Sequence, residues 1–459
     1  MHETVQISQR CHDLSYRDLS SDLIDRVKYQ CLDYIGVAAR GALSDSSLPV
    51  HVVIARVDNT RDGAVVIGTG MRAGPPYAAL ANGIAAHSLE LDDVVNEASL
   101  HPGVAIMPAA MAAAQMAGSS GREFITAVVA GYEVAIKLGI ALGPAAHYAR
   151  GFHPTGTCGT LGAAVAAAKL LSLDQKSMTN ALGIAGSQAA GLMEFLNDGA
   201  FTKRLHPGWA AHSGLMAGLL AGQKFSGPAT VVEGRFGFLH AYSPQSDAAR
   251  ILKTWGQPYE VMRTSIKPHS CCRYKQGPID GILKIMREHR LDIGDIEKVT
   301  LGILKAGFAL VAEPIEKKRK PASIVDAQFS MPFGAAVAIL CNQATLDEYT
   351  LENIEKPEIK ALMDKIFCVI NPELEKDYPR KWPALVTVTT QSGQKYSAKI
   401  EYPKGDPENP LTWQELIQKF KNLVAPVYTE EKRNIIIDRV RILEEEEDLN
   451  SFAALLSTE

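Results

Sequence analysis

Apolar residues recur at helical spacing through most of the first half of the chain. Over residues 15–40, Leu19, Leu23, Val27 and Tyr34 fall on one side of a helix. From about residue 74 to 222 the pattern changes from one-sided to nearly continuous. PPYAALANGIAAHSLELDD, PGVAIMPAAMAAAQMAG, GREFITAVVAGYEVAIKLGIALG, GTLGAAVAAAKLLSL, QKSMTNALGIAGSQAAGLMEFL and PGWAAHSGLMAGLLAGQ are apolar on every side and rich in Ala and Gly. Small residues every three or four positions let helices approach closely, and the shortage of charge implies burial in a large helical bundle.

Near residue 296 the period falls to two. Val299, Leu301 and Ile303 share one face of a strand, and the segments 385–390 and 395–401 around Gln391-Ser-Gly-Gln394 read as a hairpin. Helices are expected around 327–342 and 351–366. Beyond Tyr402-Pro-Lys-Gly-Asp-Pro-Glu-Asn-Pro410 the helical pattern returns, with Thr412 and Glu415 as a capping box opening a helix over Trp413–Leu423. The expected fold is therefore mainly α: a large all-helical domain from residues 1–266 and 405–459, discontinuous, with a smaller α+β domain inserted at 267–404.

A chain of 459 residues fits two cores. A net charge of −4 with no long Lys/Arg run gives no electrostatic reason to expect nucleic acid. The run Glu444-Glu445-Glu446-Glu447-Asp448 reads as a solvated helix face. Seven cysteines, an odd number with no CxxC pair, argue against a disulfide framework or a zinc ribbon and fit a reducing compartment. The opening MHETVQISQRCHDLSYRDL lacks the apolar stretch of a signal peptide. No window reaches the ~18 uninterrupted apolar residues of a membrane span, and the greasy stretch 128–146 is broken by Glu133 and Lys137. A soluble, cytoplasmic protein without membrane contact is expected.

Four clusters could carry chemistry. In His87-Ser-Leu-Glu90-Leu-Asp92-Asp93 the carboxylates Glu90 and Asp93 would share a face if the segment were helical, and crowded carboxylates raise one another's pKa. His101-Pro102-Gly103 follows, with proline at a favoured helix start and amides free to face an anion. Taken alone, the block reads better as a helix running into an acidic loop. In Arg150-Gly-Phe-His153-Pro-Thr-Gly156-Thr-Cys-Gly159-Thr-Leu-Gly162 the glycines follow no dinucleotide fingerprint and no strand precedes them, so they suit close helix packing. Thr202-Lys203-Arg204-Leu-His206 and Ile266-Lys267-Pro-His269-Ser-Cys271-Cys272-Arg273 each put cations at the edge of an apolar element. Each alone reads as surface lysine; together they would suit an anion with several carboxylates. The adjacent thiols of Cys271 and Cys272 read as buried and structural. HExxH, P-loop, GxSxG and iron–sulfur patterns are absent from the sequence, which narrows the chemistry to acid/base catalysis without a cofactor or metal.

Taken in order, HSLELDD…HPG, RGFHPTGTCGTLGAA, KRLHPGWAAHSGLMAGLLA, IKPHSCC and YPKGDPENPLTWQELIQKF resemble the MmgE/PrpD family over nearly the whole chain. That family includes 2-methylcitrate dehydratase, cis-aconitate decarboxylase and iminodisuccinate epimerase. The resemblance implies a helical domain with an α+β lid, a homodimer, no cofactor, and an active site between the domains. It implies catalytic roles for Asp93, His101, His153, Lys203 and Lys267, and substrate contacts from Glu90, Arg204, His269 and Phe333. Glu90 stands where many relatives have aspartate, Val94 where they often have threonine, and Phe333 where the decarboxylase branch has a tyrosine able to donate a proton. A phenyl ring cannot donate.

The implied chemistry forms a carbanion beside a carboxyl group of a small di- or tricarboxylic acid, which fixed donors must stabilise. Lys203 and Lys267 would clamp carboxylates, His101 and His153 would exchange the proton, and Asp93 would orient or tune one histidine. Dehydration ranks first because it does not need the tyrosine missing at Phe333, epimerisation second and decarboxylation third. The alternative outside catalysis is a silent small-acid binding protein that keeps the fold.

Overall fold

The structure is a computed structural model that describes residues 2–458. It divides the chain into two compact units, the first formed by the chain up to Ser88, by Asp92–Thr264 and by the chain from Thr412 on, the second by Leu89–Leu91 and Ser265–Leu411. The sequence reading set its boundaries at 266/267 and 404/405 and gave Leu89–Leu91 to the helical domain. The tripeptide is counted with the second unit because Leu89 O accepts hydrogen bonds from Ser270 Oγ (2.7 Å) and Gln328 Nε2 (3.1 Å).

The first unit is helical apart from a two-residue antiparallel ribbon, β1 (Ala64–Val65) with β2 (Arg72–Ala73), which the sequence pattern did not announce. The early helix is Ser21–Gly41, started by Ser20, whose hydroxyl accepts from Leu23 N; Tyr16–Asp18 is a separate turn of 3-10 helix. The helices Pro75–Ala86, Gly103–Ala117, Gly121–Leu142, Pro154–Leu170 and Thr202–Gly222 form the core. Close approach is enforced where Pro75–Ala86 crosses Thr202–Gly222: a Cβ on Gly208 would lie 2.5 Å from Leu80 O, and one on Gly83 would lie 2.7 Å from Gly208 Cα. No side chain but hydrogen fits there.

Gly121–Leu142 is long and apolar enough to cross a membrane by length and composition, yet from Phe124 on it is wholly buried among its neighbours. Of its four charges, Arg122 and Glu123 are exposed in the first turn, and the two within the buried stretch are satisfied within the unit. Lys137 Nζ lies 2.8 Å from Glu260 Oε1 and donates to Thr254 Oγ1, while Glu133 accepts from the main-chain amides of Gly256 and Glu260. The C-terminal helices return to this unit: Trp413–Leu423 and Glu430–Arg441 pack on Ser21–Gly41, and Leu449–Ala454 packs on Gly103–Ala117. The acidic run is only in part the solvated face expected of it: Glu445, Glu447 and Asp448 are exposed, but Glu444 and Glu446 are paired. Glu444 pairs with Lys28 at 2.9 Å, Glu446 pairs with Arg439, and Asp448 caps the last helix.

The second unit is built on a four-stranded sheet in the order β4-β3-β5-β6, where β3 is Ile296–Ile303, β4 Ile366–Ile370, β5 Ala384–Thr390 and β6 Lys395–Ile400. β3 runs parallel to β4 and antiparallel to β5, with Leu301 opposite Cys368 on one side and Val386 on the other. Ala384, Val386 and Val388 alternate inward as period two requires. Helices Gln276–His289 and Met331–Cys341 complete the core with the sheet. The expected long helices are each broken in two: Ile324–Gln328 precedes Met331–Cys341, and Pro357 restarts the segment after Leu351–Glu355.

Candidate active site

No helix carries the acidic block. Pro75–Ala86 ends before His87, and residues 87–100 form turns closed by an isolated bridge between Val95 and Leu100. The pairing of Glu90 with Asp93 on one helical face therefore does not exist. Glu90 sits in the left-handed region at φ 55°, buried in the second unit, with its Oε2 3.6 Å from Lys267 Nζ. A non-glycine residue held there stores backbone strain of about 1 kcal/mol or more, a pattern that clusters at functional sites.

Asp92, which the sequence reading passed over, organises the first unit's cluster. Its Oδ2 lies 2.8 Å from His87 Nδ1 and 2.9 Å from His101 Nδ1. His101 Nδ1 is also 2.6 Å from the main-chain oxygen of Asp93. Facing two oxygens that can only accept, His101 Nδ1 must carry a proton, which turns Nε2 away from both oxygens. The same argument puts a proton on His87 Nδ1. His87 Nε2 is buried without a hydrogen-bond partner. His87, Asp92 and His101 bring three ligand-type atoms within 4.8 Å of one another. The acceptor oxygen of Asp93 makes this a hydrogen-bond network rather than a ligand set, because a protonated Nδ1 cannot bind a metal.

Asp93 was expected to tune a histidine with its carboxylate, and its carboxylate does something else. Its oxygens accept from Gly103 N (3.0 and 3.2 Å) and from Tyr132 Oη (2.8 Å), capping helix Gly103–Ala117. Burial pushes its pKa up to about 7, against the opposing hydrogen bond from Tyr132. Asp93 thus meets a histidine only through its main-chain oxygen, and the carboxylate that faces the histidines is that of Asp92.

His153 is placed by main-chain pairing. Its N–H donates to Gly191 O at 3.0 Å, Phe152 bridges to Leu192, and His153 is the residue from which helix Pro154–Leu170 starts. The ring stacks on His87 at 5.9 Å, and its Nδ1 lies 3.0 Å from His206 Nδ1. Lys203, in the first turn of helix Thr202–Gly222, is buried near these rings, and its charge opposes protonation of His87, His153 and His206. Arg204 is buried and donates to His87 O at 2.8 Å, fixing the loop. His101, His153 and Lys203 are thus gathered in one cluster, together with His87, Asp92 and His206, which the sequence reading did not select. His87, Asp92 and His206 lie inside the motifs HSLELDD and KRLHPG, so the motifs were seen but their geometry was not.

In the second unit His269 is anchored by Asp280, with Nε2 3.0 Å from Oδ1. Its Nδ1 is buried and has no hydrogen-bond partner. Phe333 is wholly buried in the core, its ring 5.5 Å from that of Tyr349, so its packing is that of a core residue rather than of the expected substrate contact. It lies in the first turn of helix Met331–Cys341, which is buried in the second unit's core, and motif matching alone does not reveal that.

Burial keeps His87, His147, His153 and His206 neutral. The pKa of His87 falls to about 3, those of His147 and His206 to about 4, and that of His153 lies well below the usual value, desolvation being the largest cause in each. Below about pH 6.5 the unfolded chain therefore binds protons that the folded chain refuses, and stability falls with acidification. Asp93 and Glu133, raised to about 7, act the other way between about pH 4 and 7. The histidines outnumber them, so the urea midpoint should drop from pH 6.5 to 4.5, and His153→Gln should flatten that slope. A midpoint that holds or rises would show that these rings are not buried neutral.

Two family models account for the chain: the MmgE/PrpD N-terminal domain matches residues 5–251 and the MmgE/PrpD C-terminal domain matches residues 269–444. The chain belongs to the MmgE/PrpD family. It is 29% identical over 474 residues to the cis-aconitate decarboxylase of Aspergillus terreus (strain NIH 2624 / FGSC A1156), covering 99% of this chain and 96% of that protein. The Mus musculus cis-aconitate decarboxylase is 27% identical, covering 97% and 91%. The 2-methylcitrate dehydratase of Salmonella typhi is 30% identical over 158 residues, 32% of each chain. Decarboxylases and dehydratases are lyases, and this MmgE/PrpD chain is a lyase-family enzyme.

Proposed function

We propose that this enzyme cleaves a bond beside a carboxylate of a small tricarboxylic acid, with decarboxylation of a cis-aconitate-type acid as the reaction its relatives favour. The observation that carries the reading is the cluster in which Asp92 bridges His87 and His101, with His153 and the Lys203 ammonium beside them. Decarboxylation breaks the bond to one carboxylate, which leaves as carbon dioxide. The electron pair stays on carbon, conjugated with a remaining carboxylate, until a proton arrives. A buried ammonium near a carboxylate oxygen stabilises that charge far better than water does, and the neutral imidazole of His153 supplies the hydrogen.

The similarity over nearly the full length to cis-aconitate decarboxylases, against a third of the chain for a dehydratase, moves decarboxylation ahead of dehydration. Dehydration of a hydroxy acid remains the second reading, supported by the 30% identity over 158 residues to a 2-methylcitrate dehydratase. The experiment is incubation with cis-aconitate and with 2-methylcitrate, followed by mass analysis of products. Carbon dioxide release from cis-aconitate supports the first reading, and loss of water from 2-methylcitrate supports the second. Lys203→Ala should lower kcat on the active substrate by about 10²–10³. Near-normal turnover by that variant would remove Lys203 from the mechanism.

A further inference from the structure

The cluster has an outlet. His206 lines a cavity of about 630 Å3 bounded by Leu192, Phe195, Leu205 and Trp209 among others, all within the helical unit. The partner of His206 is the fully buried His153, through the 3.0 Å contact between their Nδ1 atoms.

Two imidazoles joined Nδ1 to Nδ1 cannot be in the same state. One nitrogen donates and the other accepts, so if both rings are neutral they hold opposite tautomers. When His153 accepts, its proton is on Nε2 and it can act as an acid. When it donates, Nε2 is bare and it can act as a base. We infer that His206 is a positioning residue that resets His153 between these two states, relaying a proton from the cavity. The inference rests on the proposed role of His153 as a proton donor to the substrate carbon.

Atoms balance along this path. His153 gives its Nε2 proton to the carbanion, forming a C–H bond. The Nδ1 proton of His206 crosses to His153 Nδ1, and water in the cavity delivers a proton to His206 Nε2. Both rings end neutral with tautomers exchanged, and one proton has moved from the cavity to the product. For the next cycle solvent admitted as product leaves protonates His153 Nε2, the His153 Nδ1 proton returns to His206 Nδ1, and His206 Nε2 releases its proton to the cavity. Passing through neutral tautomers avoids an imidazolium that the buried, lysine-flanked site disfavours. Among the groups around the pair, His87 and Lys203 also oppose positive charge there, and Phe195 packs against both rings at 6.1 and 5.9 Å, leaving the His206 edge as the cavity-facing one.

The test uses the full chain with cis-aconitate, or with whichever acid it turns over. His206→Ala should lower kcat by about a hundredfold, the lower end of what proton transfer contributes, with KM nearly unchanged. Added imidazole should restore turnover saturably by occupying the space vacated. His206→Gln keeps the volume and a hydrogen bond to His153 but cannot relay, so it should be as slow as alanine and resist rescue. Retained kcat in a folded His206→Gln enzyme, or no imidazole response in a folded His206→Ala enzyme, overturns the relay. If the alanine variant does not fold, the glutamine variant decides. His153→Ala separates the two levels: full turnover by that variant refutes the donor role itself, whereas a slow His153→Ala beside a fast His206→Gln refutes only the relay.

Discussion

Asp92→Asn is expected to lower kcat by about 10²–10⁴, the range spanned by general acid–base contributions, while leaving KM nearly unchanged. One oxygen of Asp92 takes the Nδ1 protons of both His87 and His101. That double acceptance fixes the tautomer of each ring, and its charge steadies either ring if it becomes cationic. Asparagine keeps the shape but removes the charge, and its amide group can turn a donor toward nitrogens that are already donors. Nothing in the pattern of burial gives Asp92 a face toward a ligand, since it is 1% exposed; the loss should therefore sit in kcat.

Asp93→Asn provides the contrast. The Asp93 carboxyl accepts from Tyr132 and Gly103, and burial already pushes its pKa up to about 7. An amide oxygen can accept the same two bonds, so this variant should be the milder of the two. Steady-state kinetics on the pair checks the ordering. Equal losses, or a larger loss at Asp93, would return the orienting role to Asp93 as the sequence first suggested.

That comparison shows where sequence reasoning succeeded and where it stopped. The helical unit was legible because Ala/Gly-rich segments without charge have few ways to be stable other than packing on one another. The sheet was legible because Val299, Leu301 and Ile303 alternate as a half-buried strand must. Motifs told which stretches matter, and His101, His153 and Lys203 do gather. What the motifs could not give was direction. Whether Asp92 or Asp93 turns toward the histidines depends on backbone torsions in a loop with no periodicity, and Glu90 shows the cost of guessing helix there, since its φ of 55° ends any helical face. His206 needed its Nδ1 contact with His153 to become interesting, and Phe333 needed its burial to become ordinary. The acidic run near the C-terminus reads as solvent-facing until Lys28 and Arg439 are found opposite it.

The second large effect is expected at the helix crossing that carries the cluster. Gly208→Val should destabilise the fold by about 3 kcal/mol or more, the upper end of overpacking costs. The first added carbon would already lie 2.5 Å from Leu80 O, 2.6 Å from Ile84 Cγ1 and 3.0 Å from Ile84 N. Two of these three atoms are main chain and cannot turn aside, so Pro75–Ala86 and Thr202–Gly222 must separate. Helix Pro75–Ala86 leads into His87, and Thr202–Gly222 carries Lys203 and His206. Separation therefore pulls the cluster apart from two sides, and the activity of whatever fraction remains folded should fall as well. Gly118→Ala is the matched control. A Cβ there meets nothing within 4 Å, although the left-handed φ of 63° adds some strain. Urea denaturation with parallel kinetics separates the effects. If Gly208→Val unfolds at the wild-type urea concentration with wild-type kcat, the helices are not in contact at Gly208, and the cluster does not depend on their close approach.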